Sequence, residues 1–527
     1  MTSTIPNTPA PPATRTAHTA RTGHAPAADA PGVRPPRAEI ERRIAQAHPP
    51  LTHAQALVEA ERCYYCHDAP CVAACPTGID VPSFIARIAQ GNLRGAAAAI
   101  LSANPLGGMC ARVCPTEVLC EDACVRHAAE DKPVEIGLLQ RHATDAFFAA
   151  CEGEGDGTRA AEGKGKREGK REGDSERHAR PLFTRAPRSG RRIAVVGGGP
   201  AGLACAHGLA CRGHDVVIFD ARPKLGGLNE YGIAAYKATD GFAQAEVRWL
   251  LAIGGIEVRC SQALGREFTL DGLRADFDAV FLGLGLAGVN ALGVPEPQAT
   301  GLAAAVDFIA ELRQAEDLSR LSPGRHVVVI GGGMTAVDAA VQSKMLGADT
   351  ATIVYRRGAE SMPASRHEQA WAQTQGVLIR HWAAPLAVLA EAGRVSGVRF
   401  AVTALHEGRL VETGETFTLA ADRVLRAIGQ TYLAEPAGAA IALDSGKGGC
   451  IATDAERRTS LAGVWAGGDC RAGGRDLTVE AVEDGKVAAR SIDAALAAQA
   501  GRAGRADPAD QAGQRPLPAG EFSKAGD

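Results

Sequence analysis

Two kinds of hydrophobic pattern divide the chain. From about 41 to 150 the apolar positions recur at helical spacing, as in HAQALVEAERC and VPSFIARIAQGNLRGAAAAIL. From 191 onward they gather instead into short unbroken runs. RRIAVVGGGPAGLACAHGLA (191–210) and RHVVVIGGGMTAVDAAVQSK (325–344) each read as a buried strand, three glycines and a helix. DAVFLGLG (278–285) and RVLRAIGQ (423–430) follow, one after each turn, as strand-like returns. Three stretches carry no such pattern: a Pro/Ala-rich start, EGEGDGTRAAEGKGKREGKREGDSERHAR (152–180), which mixes both charges with glycine, and an Ala/Gly/Pro-rich end. The expected organisation is a disordered extension (1–40), a helical domain (41–150) and a charged low-complexity linker (151–190). A dinucleotide-binding domain follows in two parts (191–296 and 430–496), with a second such domain inserted at 297–429 and a disordered tail at 497–527.

Composition narrows the function classes. A chain of 527 residues is too long for one core. Its net charge of −3 gives no argument for nucleic acid or a membrane surface, and no apolar run is long enough to span a bilayer. The start lacks the apolar core of a secretory signal. The expectation is a cytoplasmic protein, where clustered cysteines bind metal more often than they form disulfides.

In VVGGGPAG, Gly197, Gly199 and Gly202 make G-x-G-x-x-G, with Pro200 and Ala201 opening the helix. The first glycine allows the tight turn and the second lets backbone amides approach a pyrophosphate. The third permits close packing of helix on strand. The next strand, DVVIFD, ends at Asp220, whose carboxylate suits ribose hydroxyls. In GVWAGGDC, Gly468 and Asp469 supply a second arm, which a cofactor as long as FAD needs. The second turn, GGGMTAVD, is G-x-G-x-x-A: Gly331, Gly333 and Ala336, with Met334 and Thr335 between the last two. Its following strand ends in Arg356 and Arg357, cations that suit a 2′-phosphate and so NADP over NAD; the bland reading is a solvated basic pair. Ala427, Ile428 and Gly429 return to this site. Together these features resemble the two-dinucleotide-binding flavoprotein reductases. No cysteine lies between Cys260 and Cys450, which argues against disulfide reduction. Hydride transfer needs alignment rather than a protein acid or base, so no catalytic residue is expected.

Eight of the fourteen cysteines fall between Cys63 and Cys124. They are spaced C-x2-C-x4-C-x3-C-P and then C-x3-C-P-x4-C-x3-C. Thiolates suit zinc or iron–sulfur clusters, and the terminal C-x3-C-P also closes bacterial ferredoxin runs. From spacing alone Cys110 is the eighth ligand and Gln140 an exposed helical residue. Two [4Fe–4S] clusters beside a flavin make chemical sense, because a flavin accepts electron pairs and clusters carry single electrons.

CYYCHDAPCVAACPTGIDVPSFI, NPLGGMCARVCPTEVLCEDAC, EIGLLQRHATDAF, GGLNEYGIAAYK and AGGDC, with both glycine turns, make the resemblance specific. The chain resembles the PreT-type FAD/iron–sulfur subunit of NAD(P)-dependent dihydropyrimidine dehydrogenase, and is similar to the small subunit of glutamate synthase. DLTVEAVEDGKVAA (476–489) resembles the former, whereas YRRGAESMPAS (355–365) is closer to the latter. The implied fold is multidomain: an N-terminal α-helical bis-[4Fe–4S] domain, then α/β FAD and NAD(P) Rossmann-like domains. The implied ligands are Cys63, Cys66, Cys71 and Cys124 for one cluster. Cys75, Cys114, Cys120 and Gln140 serve the other, with Cys110 a spare thiol. Gly227, Leu228 and Thr478 are carried over as FAD contacts, and Lys237 as a positive charge near the flavin where the family has arginine. Pro363 stands where the dihydropyrimidine enzyme has a further arginine.

The expected role is an electron-input subunit. NAD(P)H is oxidised through FAD and two [4Fe–4S] clusters, for a PreA-like FMN/iron–sulfur catalytic subunit that reduces uracil or thymine. The alternatives are a glutamate synthase small subunit and a non-enzymatic zinc scaffold. Nothing in the sequence resembles an FMN barrel or a glutamine amidotransferase.

Overall fold

A computed structural model describes residues 35–155, 181–434 and 443–503. Residues 1–34 of the expected extension, 156–180 of the expected linker and 504–527 of the expected tail lie outside them.

The first region is helical: α1 (Arg37–Gln46), α2 (His53–Ala60), α3 (Pro70–Ala73), α4 (Val81–Ala89), α5 (Leu93–Ala103), α6 (Gly107–Val113), α7 (Val125–Glu130) and α8 (Ile136–Gly155). Local chemistry sets their ends. Thr52 and Gln55 form a capping box at the start of α2. Asp80 accepts from the Ser83 amide at 3.1 Å, and proline sits in the first turn of α4 where a missing N–H costs nothing. The run VPSFIARIAQGNLRGAAAAIL is two helices. Gly91 takes a left-handed φ of 73°, and Asn92 caps α5 by accepting from the Gly95 amide at 2.8 Å. Phe84, Ile85, Ile88, Ile100 and Leu139 fill the core of α2, α4, α5 and α8.

The first α/β domain has a five-stranded parallel sheet ordered β15-β4-β1-β2-β3: β1 (Arg192–Val196), β2 (Asp215–Asp220), β3 (Ile256–Cys260), β4 (Ala279–Leu282) and β15 (Val464–Ala466). Its helices are α9 (Pro200–Cys211), α10 (Leu228–Tyr231), α11 (Phe242–Leu251), α12 (Leu270–Asp276) and α16 (Thr478–Ala503). The last strand and helix return from far along the chain, so a second domain is inserted. Its two crossings are β5 (Gly288–Val289) and β14 (Gln430–Thr431), paired antiparallel.

The inserted domain repeats the design with β6 (Leu302–Ala304), β7 (His326–Gly331), β8 (Thr350–Val354), β9 (Leu378–Arg380) and β13 (Arg423–Ala427). They are ordered β6-β13-β7-β8-β9. The helices are α13 (Ala305–Gln314), α14 (Met334–Met345) and α15 (Arg366–Thr374). Between β9 and β13 the chain makes a three-stranded antiparallel meander, β10 (Ala383–Glu391), β11 (Arg394–His406) and β12 (Arg409–Ala420), that the glycine-turn reading did not include.

Three boundaries differ from expectation. Helix α1 begins inside the expected extension because Ile40 and Ile44 find apolar cover, and that cover is the inserted domain, not the helical one. Helix α8 reaches Gly155, and beyond the undescribed stretch Leu182 and Phe183 already pack with Phe147, Phe148 and Trp249. Helix α16 continues to Ala503, into the expected tail, carried by an alanine-rich stretch with high helix propensity. No helix among the described residues is long and apolar enough to cross a membrane.

Candidate functional site

The first glycine turn is as tight as the spacing requires. Gly197 has φ 99°, and a Cβ there would stand 2.2 Å from the Gly283 carbonyl oxygen. A Cβ on Gly202 would stand 1.8 Å from the Gly197 oxygen, so α9 packs directly on β1. Asp220, at the end of β2, accepts from the Gly198 amide at 2.7 Å and from the Arg222 amide at 2.7 Å. Burial pushes its pKa up, against those two bonds. Gly227 comes within contact of Gly199, since a Cβ on it would be 2.8 Å from the Gly199 Cα. Leu228 follows, exposed, at the start of α10. Thr478 Oγ1 donates to Asn229 Oδ1 at 2.9 Å, placing the start of α16 beside that loop.

The second arm reaches the same turn. A Cβ on Gly468 would lie 3.1 Å from the Cβ of Ala201. Asp469, beside it, is half-buried, and desolvation followed by Asp476 and Asp484 raises its pKa to about 7. What fastens this arm is Asp484 on α16: it accepts from the Gly468 amide at 2.9 Å, from Arg457 Nε at 2.7 Å and from Arg471. Sequence reasoning missed Asp484 as a fastener, although it stands in the quoted VEDGK stretch. The next residue, Gly485, is a packing glycine, because a Cβ there would be 2.1 Å from the Ala201 oxygen.

The second turn repeats the first. A Cβ on Gly331 would stand 2.0 Å from the Ala427 oxygen, with Ile428 and Gly429 following. Ala336 is fully buried in place of the third glycine, while Met334 and Thr335 start α14. Above Gly333 there is open space, with nothing within 4 Å of an added Cβ. Arg356 is exposed and Arg357 half-buried at the end of β8. Neither guanidinium has an acidic partner among the described residues.

Lys237 is paired across the domain junction. Its Nζ lies 2.9 Å from Asp338 Oδ1 and 3.0 Å from Glu368 Oε1, both in the inserted domain. Its charge is thus already matched at the domain junction.

The thiols form two groups. Cys63, Cys66, Cys71 and Cys124 line one cavity, closed by Val81, Ile85 and Ile136. Cys75, Cys110 and Cys114 gather with Leu119, Leu477 and Val479, against the start of α16, while Cys120 packs against the helical core together with Cys63, Cys71, Cys75 and Cys124. Among the described residues no three His, Cys, Asp or Glu side chains converge to hold a single ion. Burial pushes up the pKa of Cys63 and Cys120, and that of Cys71 to about 11. A hydrogen bond with Cys110, then burial, does the same for Cys114. Such thiols become thiolate ligands when iron supplies the opposing charge.

Gln140 is buried, not exposed as spacing alone suggested. Its Nε2 donates to the Gly107 oxygen at 2.7 Å, which leaves Oε1 as the donor atom the amide can offer a metal. Cys110 accepts at 3.2 Å from Asn104 Nδ2.

The two regions match known families in the same order. Residues 40–151 match the model of dihydropyrimidine dehydrogenase domain II, 4Fe-4S cluster, and residues 191–485 that of pyridine nucleotide-disulphide oxidoreductases. The glutamate synthase [NADPH] small chain of Escherichia coli is 32% identical over 87% of this chain and 96% of its own length. The NAD-dependent dihydropyrimidine dehydrogenase subunit PreT of Salmonella typhimurium is 33% identical over 72% of this chain and 81% of its own. In fold, FprA of Mycobacterium tuberculosis, solved in complex with NADPH, is similar with a TM-score of 0.50 and 18% identity, over 62% of this chain and 89% of that one. The chain belongs to the pyridine nucleotide-disulphide oxidoreductase family, as an NAD(P)H-dependent FAD/iron–sulfur oxidoreductase whose N-terminal domain is of the dihydropyrimidine dehydrogenase type.

Proposed function

We propose that this chain is the electron-input subunit of a larger reductase, and that its partner is a PreA-like FMN/iron–sulfur subunit reducing uracil or thymine. The observation that carries the electron-input part is the adjacency of the second thiol group to the first dinucleotide-binding domain. Cys75 and Cys114 pack with Leu477 and Val479, the neighbours of Thr478, and Lys486 on the same helix donates to the Thr77 oxygen at 3.4 Å. Bound FAD takes a hydride as an electron pair and releases electrons singly, and [4Fe–4S] clusters carry single electrons onward.

In this reading the chain's residues bind and align. The turn at Gly197, Gly199 and Gly202, with Pro200, Ala201, Asp220, Gly227, Leu228, Gly468, Asp469 and Thr478, holds FAD. The turn at Gly331, Gly333 and Ala336, with Met334, Thr335 and Ala427–Gly429, holds the nicotinamide nucleotide, and Arg356 and Arg357 take its 2′-phosphate. Cys63, Cys66, Cys71 and Cys124 ligate one cluster; Cys75, Cys114, Cys120 and Gln140 ligate the other. The second reading is a glutamate synthase small chain, favoured by the longer overlap with that relative.

Purified alone, the protein should oxidise NAD(P)H with ferricyanide and leave uracil untouched. Adding a PreA-like subunit should bring pyrimidine reduction. If only a glutamine-hydrolysing synthase subunit restores turnover, the second reading replaces the first; a lone chain that reduces uracil overturns both. For the ligands, Gln140→Ala should alter one cluster's EPR signal with FAD content unchanged, while Cys110→Ser leaves both clusters. The opposite pattern would return Cys110 to the ligand set.

A further inference from the structure

The inserted domain is tied to the first by two strands, β5 and β14. Such a joint leaves a domain free to swing unless side chains hold it. Here they do. Ala234 and Tyr236, from the loop after α10 of the first domain, are part of the inserted domain's own core. The Tyr236 hydroxyl donates to Asp338 Oδ1 at 2.6 Å, and Lys237 bridges Asp338 and Glu368. On α13, Arg313 donates to the Glu230 and Ala238 oxygens at 2.9 and 2.5 Å.

The helical domain closes the same junction. The His48 ring lies 4.5 Å from that of Trp371 and 5.4 Å from that of Tyr236, and its carbonyl accepts from Arg141 at 2.8 Å. Ser365 Oγ donates to Glu117 Oε1 at 2.6 Å. Helix α1 covers the inserted domain from outside through Ile40 and Ile44.

We propose that Tyr236 and Lys237, sealed by His48 and α1, lock the nucleotide-binding domain in one orientation against the other two domains, making Lys237 a positioning residue for hydride transfer. The reasoning is electrostatic. A buried ammonium between two carboxylates adds little net stability over an apolar residue of its size, but it specifies one register, and its loss leaves two carboxylates facing each other. Burial alone lowers the Lys237 pKa; Asp338 and Glu368 outweigh that, and the ammonium stays charged.

This inference rests on the electron-input reading, and one experiment separates them. Lys237→Met should keep FAD, speed hydrogen exchange at the β5 and β14 amides, and slow flavin reduction at saturating NAD(P)H by about tenfold or more, with a smaller change in KM. Lys237→Arg should restore most of the rate. Tyr236→Phe, which keeps the ring, should shift exchange in the same direction by less. Unchanged exchange and reduction rate in Lys237→Met overturn the lock. If that variant loses FAD, unchanged exchange in Tyr236→Phe overturns it instead. A wild-type chain whose flavin NAD(P)H never reduces would sink the electron-input reading, while the exchange measurements would still decide the lock.

Discussion

The two glycine turns share one backbone and differ in how their polar groups are matched. At the first, Asp220 is held by two amides, and Asp484 ties the returning arm with Arg457, Arg471 and the Gly468 amide. At the second, space is open above Gly333, and Arg356 and Arg357 stand without acidic partners among the described residues. A site whose cofactor stays gains from groups fixed in advance, because ordering them costs nothing at binding. A site that must release its ligand gains from cations left in water. They attract phosphate without having to break a protein ion pair first.

The largest effect should come from filling the two turns in parallel. Gly202→Val places a side chain where even a Cβ would lie 1.8 Å from a backbone oxygen. The protein should lose FAD and melt well below the parent, read by flavin absorbance and thermal unfolding. Gly331→Val meets the Ala427 oxygen at 2.0 Å, and should keep FAD while losing reduction by NAD(P)H. If Gly331→Val also empties the flavin, the two sites are not independent and the contrast between them fails.

A smaller effect tests the free cations. Arg356→Ala with Arg357→Ala should weaken NADPH more than NADH, by about 1.5–3 kcal/mol for each lost charge-assisted contact. The measurement is KM for each nucleotide under steady-state ferricyanide reduction. Equal losses would make the pair a solvated strand end, and the second site would be open for a reason other than phosphate.

The sequence made this much legible because glycine spacing and strand runs are local. Gly197, Gly202, Gly331 and the returns at Gly283 and Ala427 all read directly, since each turn's geometry is encoded within a few residues. The thiol spacing also read directly as far as a cluster domain. What escaped was long-range. Nothing near Ile40 says that α1 belongs on the inserted domain, and nothing near Lys237 says that Asp338 and Glu368 are its partners. Gln140 looked exposed because its amide partner, the Gly107 oxygen, is on another helix. Spacing alone favoured Cys110, and it does stand in the same group. The family resemblance, not the residue pattern, pointed to Gln140.

The contrast extends to a pair of buried carboxylates, one at each of two domain joints, and yields the smallest effect. Glu368 of the inserted domain has Lys237. Glu246 on α11 of the first domain has no such partner among the described residues: Oε1 accepts from the Gly108 and Met109 amides at 2.8 and 3.2 Å, and Oε2 is buried without a hydrogen bond to any of them. The nearby Arg112 is paired with Asp145. Burial raises the Glu246 pKa to about 8, against those amides and Arg112. An acid raised on folding keeps its proton in the folded state at pH values where the unfolded chain has lost it. Its contribution is complete below the unfolded pKa and is lost as pH rises through about 8. Glu246→Gln mimics the protonated form and should remove that loss. Between about pH 7 and 9 the parent's melting temperature should fall by several degrees more than the variant's, a difference on the order of 1–3 kcal/mol. His48 and His207, each lowered to about 4 by burial, are neutral throughout that range and do not contribute. Asp469, at about 7, titrates at its lower end in both proteins and cancels in the comparison. Parallel curves would mean that Glu246 is ionised at neutral pH, with its two amide donors outweighing its burial. The joint at α6 would then be held by a charge, like the joint at Lys237.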